Sequence, residues 1–211
     1  MNDVLYKEQT YIINMGKLLE LNQYLIREKF WKIFGNKFRV MDAKGELYGF
    51  CEQKRFRIKD ELNVYDDEFK THEWLRIKQK NYVDMWGGFE ITDPTTGEVL
   101  GSVRRKFWKS MFRTKWELLD ADGNNIGVMQ EDSLRYALLR RFFLGIIFPK
   151  KFTVKTIGND ALITMRNKFN PIIKQLVVYI PPEHTFDRRY IAGLALVIAA
   201  LDGRGKGGKS S

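Results

Sequence analysis

The sequence predicts a mainly β protein: a closed antiparallel barrel of about twelve strands around a central hydrophobic C-terminal helix. Three observations predict it. One hairpin unit occurs three times, about a dozen β-like segments follow one another, and a late run is apolar on every side. The units begin at Phe38, Phe89 and Trp116. Each has an aliphatic residue two positions on (Val40, Ile91, Leu118) and an Asp two further (Asp42, Asp93, Asp120). A glycine follows (Gly45, Gly97, Gly123), and a second comes four positions later (Gly49, Gly101, Gly127). Side chains at i and i+2 share one face of a strand. Asp accepts bonds from nearby backbone N–H groups and Gly permits φ > 0, so together they reverse the chain.

The elements follow in order. The first twenty residues, with Ile12, Ile13, Leu18, Leu19 and Leu21, are open between a short helix and an arm packed on the body. Strands are expected at 24–27, 37–42, 47–53, 63–66, 74–79, 87–92, 99–104, 115–120, 125–130, 151–157, 160–166 and 172–180. A degenerate fourth hairpin unit runs from Phe152 through Val154 to Gly158, without the Asp. Asp66, Asp67 and Glu68 read as a turn between strands. Residues 131–143 break the β rhythm: Leu134, Leu138, Leu139 and Phe142 recur at helical spacing, and Asp132 or Ser133 can cap the start. Residues 190–201 carry no charge, with Asp187 as N-cap and Gly203 as C-cap. That run reaches about 18 Å, whereas a membrane span needs roughly 20 apolar residues. Apolar all round, it must be surrounded. Ala192, Gly193, Ala195, Ala199 and Ala200 keep it thin enough to be enclosed. The competing reading is a membrane-inserted C-terminal anchor.

With 211 residues and no Pro/Ser/Gly-rich linker, the chain reads as one barrel domain at 22–203. An arm at 1–21 precedes it, and a Gly-rich basic tail at 204–211, expected to be disordered, follows. A net charge of +10 favours an anionic partner. Cys51 is the single cysteine, which excludes an intramolecular disulfide and a Cys-cluster metal site. The first ten residues lack the basic-then-apolar pattern of a secretory signal. The expected location is cytoplasmic, with peripheral membrane contact.

Two stretches combine cations with apolar residues. Arg104, Arg105, Lys106, Lys109, Arg113 and Lys115 interleave with Phe107, Trp108, Met111 and Phe112 and contain no acid. Arg140, Arg141, Lys150 and Lys151 flank an apolar run at 142–149. Basic residues attract anionic headgroups, and aromatics sit at the interface. The bland alternatives are a hairpin connection with solvated cations and a cap over one mouth of the barrel. Asp120, Asp122, Asn124 and Glu131 mimic calcium-loop ligand positions, but the glycine falls at position four instead of six, and the hairpin already explains each residue. Catalysis has little support. His72 and His184 lie in no nucleophile or metal motif, and no phosphate-binding glycine loop is present. No enzymatic activity and no cofactor are expected.

The hairpin repeats, the Glu131-Asp132-Ser133 segment with Arg140 and Arg141, and the final apolar helix introduced by Asp187, Arg188 and Arg189 resemble the tubby C-terminal-like superfamily. The likeness is to its LURP-one-related and phospholipid-scramblase-related members and covers roughly residues 22 to 203. It implies a twelve-stranded barrel threaded by a C-terminal helix. Tubby proteins bind phosphoinositides through Lys and Arg, scramblases are linked to calcium-dependent lipid movement, and many relatives have no assigned activity. The tubby phosphoinositide residues do not match one by one, and the Cys-rich segment of animal scramblases is absent. Their acidic calcium segment before the helix is replaced by Pro181 to Arg189, PPEHTFDRR. The expected function is non-enzymatic binding of anionic membrane phospholipid through the two basic stretches. The alternatives are a protein-interaction scaffold and nucleic-acid binding by the basic surface.

Overall fold

The computed structural model describes residues 16–31, 35–55, 60–82, 85–106, 115–131, 149–168, 173–184 and 186–204. Apolar residues alternating with polar ones give twelve strands: β1 (Gln23–Trp31), β2 (Gly35–Met41), β3 (Leu47–Arg55), β4 (Asp60–Tyr65), β5 (Glu73–Tyr82) and β6 (Met85–Thr92), then β7 (Val99–Lys106), β8 (Lys115–Leu119), β9 (Asn125–Glu131), β10 (Lys151–Thr156), β11 (Asn159–Lys168) and β12 (Gln175–Tyr179). Each expected strand is present. Each pairs antiparallel with the next in sequence, and β12 closes on β1. Closure leaves no unpaired edge.

The three hairpin units are built alike. Asp42 accepts from the N–H groups of Lys44 and Glu46 at 2.8 and 3.0 Å. Asp93 accepts from Thr95 N at 2.8 Å, and Asp120 from Asn124 N at 2.8 Å. Gly45, Gly97 and Gly123 take positive φ. The second glycine has a different role. Val40, Ile91 and Leu118 pair with Gly49, Gly101 and Gly127, and the register slips by one residue beside each. The bulged residues, Tyr48, Leu100 and Ile126, pack against the core. A Cβ on Gly127 would lie 2.5 Å from the Lys155 carbonyl oxygen, so the glycine admits the neighbouring strand.

The acidic turn at 66–72 has the same plan without glycine. Asp67 accepts from Thr71 N and Oγ1 at 3.1 and 2.6 Å, and Lys70 takes φ 62° where the sister turns use Gly. Trp74 is fully buried at its bulge. In the degenerate unit Thr156 stands at the Asp position, its Oγ1 donating to the Asn159 carbonyl at 3.3 Å.

The C-terminal helix (Arg188–Arg204) fills the barrel. Ile191, Leu194, Leu196, Val197 and Ile198 are buried, and Gly193 sits against Ile91 of β6. This burial overturns the membrane-anchor reading. Among the described residues no helix is long and apolar enough to cross a membrane. Asp187 is the N-cap, its Oδ1 accepting from Arg189 N at 2.8 Å. Gly203 lies inside the helix instead of capping it, a shift of the kind expected at fraying ends. Residues 16–20 form a helical turn that buries Leu18. Glu131, expected to begin a helix, is the last residue of β9. The rest of that expected helix, residues 1–15 and the tail from 205 lie outside the described residues.

Candidate functional site

In an up-and-down barrel, connections alternate between the two rims. The turns after β2, β4, β6, β8 and β10, and the stretch from β12 to the helix, stand at one rim. They carry Asp42, Glu46, Asp66, Asp67, Glu68, Asp93, Glu98, Asp120, Asp122, Glu183 and Asp187, against Lys44 and Lys70. The opposite rim receives the strand ends that flank both basic stretches. Lys106 pairs with Lys115, Lys115 with Gln130, and Glu131 with Phe152 beside Lys151. Segments 45 residues apart from Lys106 to Lys151 thus meet at one end of the molecule. The helix starts at the acidic rim and ends at the basic one, the sense that suits its dipole.

Arg189 ties the helix start to the acidic rim. Its guanidinium donates to Asp187 and Asp93 at 2.7 Å and to Glu98 at 3.0 Å. Arg188 donates to the Leu21 carbonyl at 2.7 Å and to Asn22 Oδ1 at 2.9 Å. Tyr190 Oη donates to the Ser102 carbonyl at 2.8 Å. The resemblance drew attention to these residues, and their geometry is that of a structural clamp.

The basic rim is less uniform than its sequence. Arg104 points outward and pairs with Glu117 of β8, Nη2 to Oε2 3.5 Å, so its charge is partly neutralised. Arg105 is exposed and lies over the Trp116 ring at 5.8 Å, a contact worth about 0.5–1 kcal/mol at an exposed site. Lys115 opens β8 half-buried, Lys150 is half-buried just before β10, and Lys151 is exposed. The Lys106 side chain, Trp108, Lys109, Arg113, Arg140 and Arg141 lie outside the described residues. Beside Ala199 a cavity of about 20 Å³ is lined by Glu28, Asn167 and Lys174, room for one water and no lipid.

The weak calcium set comes apart. Asp120 spends both carboxylate oxygens on Asn124, and the Asn124 amide bond, ahead of the backbone ones, holds its carboxyl below the usual carboxylate range. Glu131 stands at the other end of β9, six residues or about 20 Å away. Among the described residues no group of His, Cys, Asp and Glu is arranged to hold a metal.

Sequence reasoning missed cations on the outer faces of β10 and β11, namely Lys155, Arg166 and Lys168, all exposed. The signal was available: Ile163, Met165 and Asn167 alternate with Thr164, Arg166 and Lys168.

A family model described as LURP-one-related matches residues 22–199. Among curated proteins none matches the chain.

Proposed function

The chain belongs to the LURP-one-related family, and from that premise we propose that its barrel binds anionic phospholipid at a membrane surface through the basic rim. One observation carries the reading. Acidic turns occupy one rim, and the strand ends flanking both basic-apolar stretches gather at the other. Such a molecule has an electrostatic direction, and an anionic surface attracts its basic end.

Each Lys or Arg near an anionic leaflet contributes on the order of 1 kcal/mol. Arg104, Arg105, Lys115, Lys150 and Lys151 together supply at most a few kcal/mol, since groups of the protein, such as Glu117 beside Arg104, already engage some of them. Salt weakens the attraction over a Debye length of about 8 Å at physiological ionic strength.

The test is co-sedimentation of the full chain with vesicles of phosphatidylcholine alone or mixed with phosphatidylserine, at low and physiological salt. Binding is expected to require phosphatidylserine and to weaken with salt. Reversing Arg105, Lys115 and Lys151 to Glu should reduce it by more than about tenfold. Equal binding to both compositions, or none to either, overturns the proposal.

A further inference from the structure

Resting on that reading, we propose that the barrel meets the bilayer with a flank as well as a rim: the outer face of β10, β11 and β12 is a second contact surface for anionic lipid headgroups. The register lays out this face in rows. Lys151 stands opposite Arg166, and Arg166 opposite Val177. Thr153, Thr164 and Tyr179 form the next row, in which Thr153 is buried and Tyr179 exposed. Lys168 stands opposite Gln175, and Leu162 lies one step beyond Thr164 on the same side. Ile163, Met165, Leu176 and Val178 point the other way into the core.

Three features of this face point to a ligand. Tyr179 and Leu162 keep 45% and 41% of their surface exposed. They sit on a sheet face, where the solvent side of an antiparallel sheet is ordinarily polar. Lys151, Lys155, Arg166 and Lys168 surround them, all exposed, and Asp160 near the acidic rim is the one acid on the outward positions of these three strands. Lys151 and Arg166 stand directly opposite each other, so two cations share one row of the face.

The chemistry favours a bilayer over other polyanions. Nucleic acid would use the cations and could stack on Tyr179, but it offers nothing to Leu162. A headgroup layer takes both, because cations stay at phosphate level while Tyr and Leu reach the acyl boundary. Lys151 belongs to rim and flank alike, so the two surfaces are continuous. The barrel thus rests inclined on β10–β12, with its acidic rim turned away.

The experiment places an environment-sensitive fluorophore on Tyr179→Cys in the full chain. Cys51 is fully buried and stays unlabelled. Thr95→Cys, at a turn of the acidic rim, is the control. Phosphatidylserine vesicles should shift the emission at 179 to the blue and leave 95 unchanged. Arg166→Glu with Lys168→Glu should weaken vesicle binding more than about tenfold at an unchanged melting temperature. If Tyr179→Cys does not fold, Leu162→Cys carries the label. Should the parent bind phosphatidylserine and lose it on rim reversal, while the 179 label stays silent and the Arg166/Lys168 variant binds as the parent does, the flank proposal falls and the rim reading stands. A parent that binds no vesicle removes both. A shift at 179 with RNA or polyglutamate and none with vesicles overturns the flank's assignment to lipid.

Discussion

Gly101 sits where a strand and the helix converge. Its φ is +142°, and an added Cβ would lie 2.4 Å from the Leu119 carbonyl oxygen and 2.8 Å from Tyr190 Cε2. The carbonyl is backbone and cannot swing aside. Gly101→Ala should therefore cost about 2–3 kcal/mol in denaturant unfolding. Gly45→Ala, at φ +91° with open space around it, should cost about 1 kcal/mol from backbone strain alone. His184 gives a pH dependence. Its ring is buried edge-on against Phe186, and its Nδ1 accepts from Phe186 N at 3.0 Å. Burial first, and the Arg188 charge second, lower its pKa. The unfolded ring protonates near about 6.5, and the folded ring resists. The stability this provides is present above that value and is lost as pH falls from it through the lowered pKa of the folded ring. Melting temperature should fall from about pH 7 to 5. His184→Asn, whose Oδ1 can replace Nδ1 as acceptor, should flatten that dependence. In the sequence His184 was a loop residue without a motif, because burial of a loop is decided by what packs over it.

The helix start is the element most exposed to a single change. Asp187 both caps the helix and pairs with Arg189. Asp187→Ala should lower stability by about 1–2 kcal/mol in thermal or denaturant unfolding, and Asp187→Asn by less, since Asn caps well. The cap was legible because Asp before an uncharged run is a local signal. The hairpins were legible in the same way, from Asp and Gly at fixed spacing. The second glycine of each unit could be seen but not explained. Its reason is the bulge at Tyr48, Leu100 or Ile126 and the close approach of another strand or the helix. The turn at 66–72 was read as a turn, but not as a further copy of the unit. Lys70 replaces the positive-φ glycine, and buried Trp74 occupies the bulge.

On the scale of the molecule, the barrel has no interior without its helix. Ile191, Leu194, Leu196, Val197 and Ile198 are buried in the core, and the helix packs on β1 and β12 at one side of the barrel and on β5, β6 and β7 at the other. Deleting residues 187–211 should abolish cooperative unfolding by near-UV circular dichroism and calorimetry, leaving a collapsed state with exposed apolar surface. The candidate site divides the same way. Both basic stretches were visible as charge among aromatics, but not that their strand ends would share a rim, that Glu117 would face Arg104, or that Arg166 would stand opposite Lys151. By itself the sequence determined the strands, their turns, the buried helix and its cap, since periodicity and turn chemistry act within a few residues. Tertiary structure alone decided which charges share a rim or a face. Strand parity and register bring together residues far apart in the chain, and a shift of one residue would turn every side chain to the other side.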